Sequence, residues 1–222
     1  MTTRRRDWPL LTGLIVLSAA PTLGSALRVA SLSGGAEVTP ANERFFAAPV
    51  PVLLHIVAAV TFSLLGAFQF APGFRDRHRA WHRRAGRALV GCGLVVAASG
   101  WWMNATYPLP PGDGPLLMVL RYLFAAGMFV AVAAGFVAVR RRRLSQHRAW
   151  MMRGYAIAQG AGTQAVLLST WALAVGPTTE LSRALLMGAA WTLNLLVTEW
   201  LIRRRRPGHV AAARPATLAA TG

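Results

Sequence analysis

Long apolar runs alternating with clusters of arginine are what most constrain this 222-residue chain. Six runs of roughly 20 residues lie at 10–30, 51–71, 88–107, 116–139, 151–175 and 184–202. About 20 apolar residues in a helix span the roughly 30 Å hydrocarbon core of a bilayer, so each run has the length of a membrane crossing. Only 14% of the residues are charged and 55% are apolar, whereas a soluble domain keeps roughly a quarter of its residues charged. An ordinary soluble domain is excluded. The chain reads as an all-α, polytopic transmembrane bundle of six helices.

The net charge of +17 and an isoelectric point near 12 raise a second reading, nucleic-acid binding. The placement of the charge decides against it. All 24 basic residues are arginines, and they bound the apolar runs instead of coating one face of a helix. Twenty fall on one side: Arg4 to Arg6, six between Arg75 and Arg87, Arg140 to Arg143, Arg148, Arg153, Arg203 to Arg206 and Arg214. The other side holds only Arg28, Arg44, Arg121 and Arg183, accompanied by Glu37, Glu43, Asp113 and Glu180. Flanking positive charge stays in the cytoplasm, so six crossings with both termini cytoplasmic are expected, in the cell inner membrane. Arginines at that face also attract anionic lipid headgroups. The first run resembles a signal peptide, with Arg4 to Arg6 before it and Gly24, Ser25 and Ala26 near its end. Retention is the preferred reading, because the run continues to Ala30 and an even number of crossings keeps every arginine cluster inside.

Segments 1–9, 31–50, 72–87 and 140–150 are too short to bury cores of their own. The tail over 203–222, with Pro207, Gly208, Pro215 and several alanines, reads as disordered, and His209 within it as a solvated residue. Chemistry is therefore expected inside the bundle or at its two faces. Cys92, the only cysteine, sits in an apolar run and says nothing about redox compartment.

The two inner loops share a word. His78-Arg79-Ala80-Trp81 recurs 69 residues later as His147-Arg148-Ala149-Trp150, and a second register pairs His82-Arg83 with His147-Arg148. Either suits a duplicated hairpin, spans two and three repeated as four and five; coincidence between two arginine-rich loops is the plainer account. The consequence retained is a four-helix core of spans two to five, flanked by one and six.

Neutral imidazole is the usual side-chain ligand for haem or metal inside a bundle, and the chain has five histidines. His55 lies about 17 residues from the inner end of its span, roughly 25 Å at 1.5 Å per residue, so it cannot share a ligand pair with an inner histidine. His82 and His147 open spans three and five at the inner face and could hold one haem b between them, with arginines for the propionates. The competing reading makes both of them interfacial residues beside Trp81 and Trp150. His55, near Asn104, Tyr107 and Arg121 in depth, suits a quinone headgroup or a proton-passing site, or equally a structural hydrogen-bonded cluster. A metal held by His78, His82 and His147 is disfavoured by the surrounding arginines.

Span five carries Gln159, Thr163 and Gln164 among Gly160 and Gly162, a pattern read as close helix packing, with a substrate path as the alternative. Glu199 lies four residues before Arg203, the simplest account of it. Phosphate-loop, His-Glu-x-x-His and Gly-x-Ser-x-Gly patterns are missing from the sequence, which leaves ATP-driven transport, zinc proteolysis and serine hydrolysis without support.

Three stretches resemble a bacterial family of predicted membrane proteins catalogued as domain of unknown function 2306. They are His55 opening a span that ends Gly66-Ala67-Phe68-Gln69-Phe70, then His82-Arg83-Arg84-Ala85-Gly86-Arg87, then His147-Arg148-Ala149-Trp150-Met151-Met152-Arg153-Gly154-Tyr155-Ala156. Together they cover about residues 50–170. The resemblance implies a polytopic membrane protein and singles out His55, His82 and His147. Family members often carry an arginine further along span five, where this chain has Gln164 and other neutral residues, so the resemblance implies no anion site there.

Two expectations follow. One is a redox protein with haem b on His82 and His147, a quinone or proton site at His55, and a membrane redox partner. The other is a non-enzymatic bundle, either a small-solute carrier or a structural subunit of a membrane complex; a homo-oligomer is compatible with both. Convergence of the inner imidazoles on a shared apolar gap would favour the first.

Overall fold

The computed structural model describes residues 4–204, and side-chain surroundings from residue 8 onward, so most of the predicted tail, His209 included, lies outside the described residues. Among the described residues nine helices run in order: α1 (Arg4–Ser33), α2 (Glu43–Ala47), α3 (Pro49–Gln69), α4 (Pro72–Arg77), α5 (Arg79–Thr106), α6 (Pro115–Arg140), α7 (Leu144–Ala158), α8 (Gly160–Ala174) and α9 (Glu180–Arg204). No strand occurs among the described residues. Proline opens α3, α4 and α6, where its missing N–H costs nothing because the first turn has no acceptor to offer it.

Among the described residues, five helices are long and apolar enough to cross a membrane: α1 from Trp8 onward, α3, α5, α6 and α9. The run expected at 151–175 is instead divided between α7 and α8, with Gln159 between them. Its backbone stays hydrogen-bonded through the break, with Gly162 N–H donating to the Gln159 carbonyl at 3.1 Å in a tightened turn. Two close approaches flank the break. A Cβ on Gly160 would collide with the Trp191 indole of α9, and one on Gly162 with the Leu17 carbonyl of α1. These glycines let α1 and α9 close on the bundle from both sides.

The hairpins α3–α5 and α6–α7 are the most extensively packed pairs and join through α5 and α6. α1 lies on α3 and α8, while α9 lies on α8, α7 and α6. The central four spans are thus flanked by the first and last. Phe62 and Val132 fill the centre almost without exposure. Both press on Gly93, where a Cβ would lie 2.9 Å from Phe62 and 3.0 Å from Val132. The outer surface is apolar as well: Leu173 is 90% exposed, and Val57, Leu23, Val130 and Leu196 face outward with it. Contiguous apolar exposure on this scale is the surface of a protein that lipid covers.

Candidate functional site

At the arginine-rich end of the bundle, α5 and α7 begin in the same way. His82 is the fourth residue of α5 and donates its N–H to the His78 carbonyl at 2.9 Å; His147 is the fourth residue of α7 and donates to the Arg143 carbonyl at 2.9 Å. Of the two registers in the sequence, the helices therefore follow the one that pairs His82 with His147. His78 sits outside the helix as its cap, against the Phe74 ring at 4.7 Å. Among the described residues no group of three metal-binding side chains forms.

His82 and His147 line one cavity of about 390 Å³, walled by Gly86, Phe136, Met151 and Tyr155, with Arg83, Arg87 and Arg140 also at its edge. His147 Nδ1 lies 2.8 Å from the Gly135 carbonyl, which can only accept, so Nδ1 carries the proton and Nε2 keeps its lone pair. Gly135 allows this because α7 passes close over it: a Cβ there would lie 2.8 Å from the Met151 sulfur. Three polar atoms on residues that line this cavity are buried with no partner, namely His82 Nδ1 and both side-chain atoms of Gln69. Orphaned buried groups cost roughly 1–3 kcal/mol each, so their concentration beside the cavity is a local cost to the fold.

A second cavity, of about 400 Å³, opens at the arginine-poor end, and His55, Asn104, Tyr107 and Arg121 all line it. The grouping by depth read from the sequence is realised. Most of its polar atoms are engaged. Tyr107 hydroxyl donates to the Ala48 carbonyl at 2.5 Å, and the Asn104 amide to the Met118 carbonyl at 3.0 Å. Ser99 hydroxyl donates to the Val95 carbonyl at 2.6 Å, so at 3.0 Å it accepts from His55 Nδ1–H. That tautomer is assigned from the network, and it leaves His55 Nε2 with a lone pair. At the rim Arg28 and Arg44 both stack on Phe45, at 4.3 and 4.4 Å. Burial first, and then Arg28, pull the Arg44 guanidinium below its ordinary pKa, with Asp113 acting the other way.

Asp113 is the residue that sequence reading missed. Its side chain is fully buried and paired with Arg121 at 2.5 Å and Arg183 at 2.6 Å, tying the α5–α6 loop to α6 and α9. The only hint in the sequence is an acid in a Pro-Pro-Gly-Asp-Gly loop on the side where arginines are few. Glu199 also has a longer-range partner than expected: Arg153 of α7 grips it at 2.5 and 3.1 Å.

Between the cavities stands a wall. The Tyr155 ring lines the arginine-rich cavity, while its hydroxyl donates to the Ser63 carbonyl at 2.7 Å and accepts from Gln159 at 2.7 Å, two residues that line the other cavity. Gln159 also donates to Ser18 of α1 at 3.0 Å. Further along, Thr163 bonds Asn194 at 2.9 Å and Gln164 bonds the Met187 carbonyl at 3.3 Å, both on α9. The polar stripe of span five is thus used in helix packing.

No curated protein and no solved structure matches the chain. A family model described as predicted membrane protein (DUF2306) matches residues 52–202, from the second residue of the α3 apolar run almost to the end of α9. That match takes in more than half of the sequence, the whole lining of the arginine-rich cavity and all three singled-out histidines, while α1 and α2 add to the arginine-poor cavity from outside it. The chain belongs to this family of predicted membrane proteins.

Proposed function

We propose that the protein crosses the membrane six times with both termini in the cytoplasm, holds one haem b between His82 and His147, and carries electrons within the inner membrane. Two imidazoles lining one cavity, beside three unpartnered buried polar atoms, is the observation that carries this reading. The fit is chemical. His147 has the tautomer of an axial ligand, Nδ1–H on a backbone carbonyl and Nε2 free. Arg83, Arg87 and Arg140 at the cavity edge are placed to pair with propionates. Phe62, Phe136 and Met151 supply an apolar surround. Bound haem would supply a one-electron iron couple, and the protein would set its potential through the two imidazoles and this surround.

The sixth crossing belongs to α7 and α8 in series, 31 residues from Leu144 to Ala174 with one interruption. The arginine distribution supports a cytoplasmic position for the haem cavity, and anionic lipid at that face would attract each nearby arginine by about 1 kcal/mol. The span-five amides bond to α1 and α9, although Gln159 and Gln164 also line the arginine-poor cavity.

Haemin titration of the purified protein tests the proposal. Uptake should saturate at about one haem per chain, and His82→Ala or His147→Ala should each abolish it. Uptake that is unsaturable, or unchanged in both variants, would overturn the haem site.

A further inference from the structure

We propose that the cavity at the arginine-poor end binds a lipid-soluble hydroquinone, with His55 accepting its hydroxyl proton. The electron acceptor in this proposal rests on the haem reading above; the binding site does not. At about 400 Å³ the cavity is within the range that encloses small organic ligands. Its walls are mostly apolar, including Ala59, Val96, Phe124, Met128, Ile157 and Trp191. Into this surround the fold sets a neutral imidazole whose tautomer is fixed by Ser99, so that Nε2 can only accept. Asn104 uses one amide N–H on the Met118 carbonyl and keeps its oxygen as a second acceptor. Two acceptors in an apolar cavity select a ligand that brings hydroxyl donors and is otherwise hydrophobic. A hydroquinone ring fits that description. Arg121 shares the single Asp113 carboxylate with Arg183, and Arg44 also lines the cavity, so an anionic lipid chain is the rival occupant, and competition by laurate tests it.

The second argument is proximity. Ser63 and Gln159 of this cavity both hydrogen-bond the Tyr155 hydroxyl, and the Tyr155 ring lines the haem cavity. One side chain separates the two sites. Oxidation of one hydroquinone to quinone breaks two O–H bonds and releases two protons and two electrons. Each proton passes to His55 Nε2 and on to the arginine-poor side. In each of two chains the bound hydroquinone gives one electron to that chain's ferric haem as one proton leaves to His55. The two semiquinones so formed disproportionate to one quinone and one hydroquinone, so that two haems are reduced for each hydroquinone consumed.

Decylubiquinol, kept reduced, is the probe, read by quenching of tryptophan emission in the purified, haem-free full chain. Trp191 lies in the cavity and stacks on Phe124 at 4.6 Å, so its emission reports occupancy. Quenching should saturate at one hydroquinone per chain and be largely lost in Trp191→Phe. His55→Ala should weaken binding about tenfold. Gly100→Leu, whose added side chain starts 3.7 Å from His55 Cε1, should abolish it by filling the space. His55→Gln, a milder change beside Ser99, guards against misfolding and should weaken binding in the same direction. Quenching that does not saturate, or that ignores every variant, overturns the proposal. So does equal competition by laurate, which would assign the cavity to an anionic lipid chain. In haem-loaded protein, decylubiquinol should reduce the haem at least tenfold more slowly in His55→Ala at unchanged haem content. Hydroquinone binding without haem uptake would refute the haem reading alone, whereas haem uptake without hydroquinone binding would refute this one alone.

Discussion

The two cavities are nearly equal in volume, about 390 and 400 Å³, yet their polar groups are engaged in opposite ways. At the arginine-poor end Asp113 has two guanidiniums, Tyr107 and Asn104 have backbone carbonyls, and Ser99 bridges His55 to its own helix. At the arginine-rich end Gln69 and His82 Nδ1 are buried with nothing to bond. Satisfied polar groups hold helices together, and removing one partner exposes the desolvation cost of the other. Unsatisfied ones lower the stability of the ligand-free fold and gain only when something binds. The same class of substitution should therefore have opposite signs at the two ends.

Asp113→Ala should have the largest effect. It strands Arg121 and Arg183 around a fully buried gap, a loss of about 3–5 kcal/mol that thermal unfolding in detergent would show as a sharply lowered Tm. If the variant is as stable as the parent, the clamp is not structural. Tyr155→Phe comes next. It deletes the donor to Ser63 and the acceptor for Gln159, so a drop of about 1–2 kcal/mol is expected with the ring packing kept. The sign reverses with Gln69→Leu, which replaces two orphaned atoms by an apolar side chain of similar size. Ligand-free stability should rise by about 1 kcal/mol, while haem retention falls; destabilisation would mean that Gln69 has a structural role. Smallest is Glu199→Gln. Its pair with Arg153 is partly exposed, 31% and 26% for the two side chains, so a change below about 1 kcal/mol is expected in the same unfolding assay.

Much of this arrangement was legible in the sequence because lipid imposes a fixed crossing length and arginine marks one side. The positions of His82 and His147 could be read from helix starts, and the His55 group from depth along spans. What escaped were features made only by distant chain segments meeting. Residues 151–175 are apolar enough to read as one helix, and nothing local foretells a break at Gln159 where Leu17 and Trp191 press on Gly162 and Gly160. Asp113 finds Arg183 across 70 residues, and Arg153 finds Glu199 across 46. Spacing along one helix suggested Arg203 for Glu199, because an i, i+4 pair is visible in sequence and an interhelical one is not. Gln69 was quoted only as part of an apolar word, and its lack of a partner appears only once α5 is packed against α3.

The central claim is that the arginine-rich cavity is completed by haem on two histidines. Its most direct test is a reduced-minus-oxidised visible spectrum of the detergent-purified protein, expressed with haem supply, beside His82→Ala and His147→Ala. The account predicts a sharp haem b α-band in the parent that disappears in both variants while Gly100→Leu, altered in the other cavity, retains it. A colourless parent, or an α-band that survives loss of either histidine, would contradict it.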